Sequence, residues 1–276
     1  MPSSVGRPFF KMSGSGNDFI FFDCRSEPCS ELRRPDVIRS LCARGEGIGA
    51  DGVVLLERST SADLAMTYFN SDGTLASLCG NASLCTVSLA AVLREGSAQR
   101  VRVETGSGVL EGQLRDGLPE IELQPVADVR PDPGIAPAAS ESRIGFAFAG
   151  VPHLVVLCAD VEQIDLSGRG ATLRHHSSLP EGANVNFVAA GEGGRWRIRT
   201  FERGVEGETL ACGTGAVAAA ILLSAWGSSS PCPLVELETR SRRILGVRLR
   251  RSEDAWYPAL RGEGRLVYRG TLADLG

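Results

Sequence analysis

Two cysteines, Cys79 and Cys212, stand 133 positions apart, and each is followed by a glycine and a run of small, mostly apolar residues. The first run reads LCGNASLCTVSLAAVL from Leu78, the second LACGTGAVAAAILLSAW from Leu210. Both predict helices. Each thiol then lies at a helix N-terminus, where unpaired backbone N–H groups and the helix dipole push it toward thiolate. The same N–H groups bind carboxylates. Two such heads facing each other across a cleft would hold a small carboxylate ligand between two thiols. One thiolate can remove the proton from the carbon beside the carboxylate, and the other thiol can return a proton to the opposite face, which inverts a stereocentre. Gly80, Gly213 and Gly215 let backbone approach a ligand with no Cβ in the way.

The elements that must position these thiols are written twice. Thr-Leu-Ala precedes each cysteine closely (Thr74 to Ala76, Thr209 to Ala211), ADGVVLL from Ala50 matches ANVNFVA from Ala183, and TYFNSDGT from Thr67 matches RTFERGVEGET from Arg199, placing Asn70 opposite Glu202. NDFIFFD from Asn17 corresponds to VPHLVVL from Val151. Each half reads strand, helix, strand, strand, long helix headed by cysteine, then further strands. DVIRSLCARG near Val37 supplies the first short helix, and the region from Val161 to Leu173 the weaker second one. Residues 1–130 carry Cys79 and residues 131–265 carry Cys212, with a C-terminal strand near Val267 (266–276) a candidate to complete the first half's sheet. The proline-rich stretch Pro125 to Ser142 reads as a linker or rim outside the core. A duplicated fold without a shared site is the alternative, but the halves agree best around the cysteine rather than in their hydrophobic positions.

Composition narrows the function classes. The chain has 276 residues, 43% hydrophobic and 22% charged, with a net charge of -4. That is the profile of a soluble globular protein, and it argues against nucleic acid as a partner, which needs a basic face. The N-terminus lacks the apolar core of a signal peptide, and the longest apolar run, Ala216 to Ala225, is too short to cross a bilayer. The expected compartment is the cytoplasm. Its redox poise makes the eight cysteines thiols, with Cys24, Cys42, Cys158 and Cys232 ordinary core or surface thiols. No CxxC occurs, and the spacings of Cys24 with Cys29 and of Cys79 with Cys85 do not suit zinc, so no metal is expected. Lys11 is the sole lysine, leaving one strand-like candidate for a pyridoxal phosphate Schiff base, and no cofactor is expected.

In chain order, the motifs FKMSGSGNDF, FNSDGTLASLCGN, GVPH, GANVNF and FERGVEGETLACGTGA resemble those of the diaminopimelate epimerase family of cofactor-independent racemases and epimerases. The likeness runs from Phe10 to about Trp226. GSGNDF at Gly14 lacks the third glycine of a dinucleotide fingerprint, so a Rossmann reading is weak.

The resemblance implies an α+β fold of two pseudo-symmetric domains, each a curved, mostly antiparallel sheet or barrel around a central helix. It implies conversion of LL-2,6-diaminoheptanedioate to the meso isomer for lysine and cell-wall synthesis, without cofactor, in a homodimer. Cys79 and Cys212 become the acid/base thiols. Gly80, Asn81, Gly213 and Thr214 would hold the carboxylate at the reacting centre. Asn17, Asn70, Asn184, Glu202 and Arg203 would line the rest of the pocket, Arg203 gripping a distal carboxylate in a planar fork. His153 would assist a thiol.

Each assignment has a plainer alternative. Asn17, Asn70 and Asn184 suit turns, Glu202 with Arg203 suits an exposed charged pair, and His153 suits a hydrogen-bonded core position. His175 and His176 read as loop residues. The sequence also departs from the family pattern. Val151 stands where Asn often precedes Pro-His, Ala82 to Cys85 replaces Gly-Ala-Arg-Cys, and Gly52 stands where some members carry a side-chain amide. The competing readings are an epimerase of the same fold acting on another amino acid, such as a proline derivative, a non-catalytic binding protein, and a thiol redox protein. Arg203 and the three pocket asparagines speak against the first, and retention of both cysteines speaks against the second.

Overall fold

A computed structural model describes residues 6–93, 100–228 and 234–273. Cys232 lies outside them. The chain forms two compact units, Met1–Ile121 with Gly262–Gly276, and Glu122–Arg261.

The first unit opens with strands β1 (Pro8–Gly14) and β2 (Asn17–Asp23). The loop between them, Ser15 and Gly16, has φ of 53° and 108°. Positive φ at both central residues is what a two-residue hairpin turn requires. Helix α1 (Pro35–Cys42), with proline in its first turn, buries Ile38, Leu41 and Cys42 and leads to β3 (Gly52–Glu57), which runs parallel to β2. Antiparallel β4 (Leu64–Asn70) follows, then short β5 (Leu75–Ala76) folded back on β4, then helix α2 (Gly80–Leu93). β6 (Arg100–Thr105) pairs parallel with β4, and β7 (Gly108–Arg115) and β8 (Leu118–Glu122) extend the sheet antiparallel. Phe19 to Phe22 and Val53 to Leu56 are all at most 1% exposed. Such continuous apolar runs mark strands covered on both faces. Ile20, Phe22, Val53 and Leu55 join Ile38 and Leu41 of α1 in one core cluster, and the alternate residues face the other way.

The second unit repeats this order. β9 (Val129–Arg130), β10 (Glu141–Ala149) and β11 (Val151–Cys158) lead through α3 (Leu166–Arg174) to β12 (Asn184–Ala190), parallel to β11. β13 (Trp196–Glu202), β14 (Gly207–Thr209), helix α4 (Gly213–Ala225), β15 (Leu234–Glu238), β16 (Ile244–Arg251) and β17 (Trp256–Arg261) complete it. Ala216 to Leu223 are all at most 1% exposed. A helix without a polar stripe must be enclosed, and α4 packs against β10, β11, β12, β16 and β17. Finally β18 (Arg265–Thr271) pairs antiparallel with β1, as β9 does with β10. The chain thus folds as two pseudo-symmetric α+β domains, each a curved sheet built on a central helix. Among the described residues, no helix is long and apolar enough to cross a membrane.

Two expectations are corrected. Cys24 and Cys29 are not free thiols but form a disulfide, with Cα atoms 5.6 Å apart. The chain turns directly after β2, which brings these two residues into bonding distance. Both are buried, Cys24 at 6% and Cys29 at 2% exposure. Cys42 and Cys158 are free and buried. The stretch from Pro125 to Ser142 is more than rim. Ile135 joins the second unit's core with Ile144, Phe146 and Leu154, and Val126 is 3% exposed, its backbone paired with Trp256.

Candidate active site

In each unit a strand hairpin delivers the cysteine to the start of the enclosed helix. After β4 the turn is closed by the Asn70 N–H donating to Thr74 O at 2.9 Å and by Asn70 Nδ2 donating to Thr74 Oγ1 at 3.0 Å. Asn70 therefore carries a turn partner. β5 then leads to Cys79, half-buried, whose carbonyl accepts the Ser83 N–H and hydroxyl, both at 2.9 Å. Cys79 is thus the N-cap residue of α2. In the second unit Cys212 caps α4, its carbonyl accepting the Ala216 N–H at 3.0 Å. Its Sγ accepts the Gly215 N–H at 3.4 Å and lies 3.5 Å from Thr214 Oγ1. A sulfur in that place takes the role usually filled by a serine or aspartate oxygen. The N–H groups of the first helical turn, at Gly80 and Asn81 and at Gly213 and Thr214, belong to the set that helix bonding leaves open.

Around Cys79, Asn81 Nδ2 donates to Asn17 Oδ1 at 2.7 Å, and Asn17 Nδ2 donates to Asp51 Oδ2 at 2.9 Å. Asn81 is 3% exposed, and its Oδ1 has no hydrogen-bond partner among the described residues. Asp51 also takes Arg44 Nη2 at 2.8 Å, and Arg44 reaches Asp18, which is salt-bridged to buried Lys11 at 2.6 Å. Lys11 also donates to Gly49 O. The net effect of Arg44 and Lys11 holds the Asp18 carboxyl below its ordinary value, although burial alone would raise it. Asn17 and Asn81 are therefore brought together and oriented by a charged lattice behind them. Within this group of thiols, burial pushes Cys42 up to about 11 and also raises Cys85 well above the ordinary thiol value, so both stay protonated.

Around Cys212, Asn184 is 5% exposed and its Oδ1 accepts the Arg203 N–H at 2.7 Å, while Arg203 Nη1 donates to Glu181 O at 3.2 Å. Burial pushes the Glu202 carboxyl up, with Thr209 opposing it. His153, register partner of Asn184 across β11 and β12, is wholly buried. Its Nδ1 lies 3.2 Å from Asn186 Nδ2, which also donates to Leu154 O at 3.0 Å. The carbonyl of Leu154 can only accept, so Asn186 Nδ2 is the donor, His153 Nδ1 accepts, and the ring proton sits on Nε2. Nε2 has no partner among the described residues. Burial, then the Arg203 charge, lowers the His153 pKa to about 3, so the ring is neutral at working pH. His175 and His176 lie in the segment after α3, His176 Nδ1 within 2.8 Å of Ser178 Oγ.

Three residues here fall outside the site expected from sequence. Asp51 orients Asn17. Asn186 connects His153 to the helix start, because a Cβ at Gly215 would lie 2.2 Å from its Oδ1, and it accepts Thr200 Oγ1 at 3.0 Å. Tyr68, 7% exposed, holds its hydroxyl beside Gly52, where a Cβ would lie 2.8 Å from it, and Cys79 acts electrostatically on the phenol. The alternation in GANVNF placed Asn186 on the same strand face as Asn184 and could have exposed it. Among the described residues, no group of three or more His, Cys, Asp or Glu gathers as a metal site would.

The family model for diaminopimelate epimerase matches residues 9–123 and 146–237 of this chain. The chain belongs to the diaminopimelate epimerase family. It is 50% identical over 277 residues to the diaminopimelate epimerase of Gemmatimonas aurantiaca, covering 97% of this chain and 99% of that one. To the diaminopimelate epimerase of Aquifex aeolicus it is 37% identical, covering 96% and 98%. In fold it is similar to a PhzF-family phenazine biosynthesis protein of Bacillus anthracis, with a TM-score of 0.75 at 13% identity, covering 97% and 99%. It is also similar to a hydroxyproline epimerase of Agrobacterium vitis, with a TM-score of 0.67 at 20% identity, covering 97% and 93%. Membership of the diaminopimelate epimerase family makes the chain an isomerase, a pyridoxal-phosphate-independent epimerase acting on an amino acid.

Proposed function

We propose that the chain converts LL-2,6-diaminoheptanedioate to its meso isomer, with Cys79 and Cys212 as the two acid/base groups. The observation that carries the reading is that both units end the same hairpin in a cysteine at the N-cap of an enclosed helix, with the carbonyls of Cys79 and Cys212 accepting the N–H groups of Ser83 and Ala216. Nothing in helix packing calls for a thiol at either cap.

The substrate's reacting carboxylate binds first-turn N–H groups, which stabilise the negative charge that develops when the α-proton leaves. One thiolate takes that proton, breaking the C–H bond and leaving its electron pair on the carbon and carboxylate. The other thiol gives its proton to the opposite face. The product carries the inverted centre, and thiol and thiolate have exchanged. The orphan Asn81 Oδ1 is a suitable acceptor for the substrate ammonium. Arg203, whose backbone Asn184 fixes, suits the distal carboxylate. Neutral His153 acts by holding Asn186 against the start of α4, and a raised Glu202 suits a hydrogen-bonding role at the far end.

The test is to incubate reduced, purified protein with the LL isomer in D₂O without added cofactor, following α-deuterium and stereochemistry together. Deuterium entering as the meso product forms supports the proposal. Unlabelled diaminopimelate with folded protein and free thiols would reject it as substrate, and the same assay over a panel of amino acids, proline derivatives included, would then find the true one.

A further inference from the structure

The mechanism above leaves Tyr68 unused. On β4 it pairs with Val54 of β3 and Ala76 of β5, so its side chain rises on the sheet face shared by position 52, which pairs with Asn70 two residues on. Position 52 is glycine. A Cβ there would lie 2.5 Å from Tyr68 Cε2 and 2.8 Å from its hydroxyl, so the phenol fills the volume that any side chain at 52 would need. The Tyr68 ring is pinned edge-on against Phe19, with centroids 5.9 Å apart at 79°. That T-shaped arrangement is one aromatic pairs favour.

The second unit shows what the other solution looks like. There Thr200 stands opposite Asn186 as Tyr68 stands opposite Val54. That unit carries a small hydroxyl where the first carries phenol. Cys212 takes its donor from the Gly215 backbone.

We propose that Tyr68 is a positioning residue for Cys79: its O–H donates to the sulfur and stabilises the thiolate, and glycine at 52 is the substitution that admits it. The inference rests on the reading of Cys79 as an acid/base thiol. The groups facing the hydroxyl fit that direction. Burial, and then Cys79, Asp51 and Cys42 once they are ionised, hold the Tyr68 proton in place well above the usual tyrosine range. Cys42 and Cys85 stay protonated, Asp51 is tied to Asn17 and Arg44, and Glu263, which also faces Cys85, bonds Arg265. Cys79 is the sulfur left to receive the hydroxyl's hydrogen bond, and Tyr68 cannot compete with it for charge.

The test is the pH dependence of iodoacetamide alkylation in the full chain, read at each cysteine by peptide mass spectrometry, in the parent and in Tyr68→Phe. At neutral pH, Cys79 alkylation is expected to slow about tenfold and its midpoint to move to higher pH, while Cys212 in the same sample is unchanged. In turnover, the acid limb of kcat/KM moves up with it. An unmoved Cys79 midpoint overturns the proposal. So does an equal shift at both cysteines, which would report a general change in the fold. Should the phenylalanine chain fail to fold by circular dichroism, Gly52→Ala, whose methyl displaces the hydroxyl with the phenol retained, is read by the same criteria. The alkylation readout needs no substrate. A wrong assignment of substrate or mechanism would leave the Cys79 shift intact, and an idle Tyr68 would leave epimerisation with an unmoved profile.

Discussion

Gly215→Ala is the sharpest structural perturbation of the Cys212 head. The added methyl would lie 2.2 Å from Asn186 Oδ1, 3.2 Å from its Cγ and 3.3 Å from Cys212 Cβ. No carbon and oxygen coexist at the first distance, so Asn186 must move, and Asn186 is wholly buried. Its bonds to Thr200 at 3.0 Å, His153 at 3.2 Å and Leu154 at 3.0 Å then lengthen or break. Each buried polar group left without a partner costs about 1–3 kcal/mol, and partial relaxation puts the total at roughly 2–4 kcal/mol. For a chain of this size that lowers Tm by roughly 3–8 °C. The start of α4 shifts with it, and losing the Gly215 N–H from Cys212 costs turnover at least about tenfold. The assay is a melt followed by near-ultraviolet circular dichroism, with α-proton exchange measured on the same samples. Asn186→Ala removes the collision, so the double variant should melt no lower than Asn186→Ala alone. A Gly215→Ala chain melting within about 1 °C of the parent, or additive losses in the double variant, would refute this account of the helix start.

Arg203→Ala is expected to raise KM by roughly 10–100-fold through loss of a charge-assisted fork, and an unchanged KM would put the distal carboxylate elsewhere. His153 supplies a pH signature. Its folded-state pKa of about 3 lies below the ordinary value of 6.5 expected in the unfolded chain. The unfolded chain therefore binds the extra proton, and stability falls as pH drops through that window, by up to about 1.4 kcal/mol per pH unit. His153→Gln should flatten the slope of stability between about pH 6 and pH 4 by roughly one proton's worth, and an identical slope would show the ring titrating normally. Peptide mapping without reductant should recover Cys24 and Cys29 joined. Cys24→Ser should cost about 2 kcal/mol by the loop-entropy relation, and alkylation of both residues in the native, unreduced chain would contradict the pairing.

Much of this was legible in the sequence because the two cysteine-headed helices are written in residues that do little else. A run such as Ala216 to Leu223 has no polar stripe, so it had to be enclosed, and the repeat in spacing carried the strands of one unit onto the other. What escaped was set by contacts that spacing does not encode. The Cys24–Cys29 bond depends on a local turn after β2, while the compartment argument pointed the other way. Ile135 sits among prolines yet fills a gap in the core. Tyr68 reads like any strand aromatic until the glycine two ladder positions away shows where its hydroxyl goes, and Asn186 hides behind the more obvious Asn184.

The central claim is that two thiols share one reaction, and single-cysteine variants in D₂O test it most directly. Cys79→Ala and Cys212→Ala, each confirmed as folded by circular dichroism, are incubated with LL-diaminopimelate while meso product and α-deuterium are followed. The account predicts that both lose epimerisation by about 10²–10⁴-fold, the usual contribution of a positioned acid or base. Full turnover by either variant would remove that thiol from the chemistry and contradict the two-base mechanism.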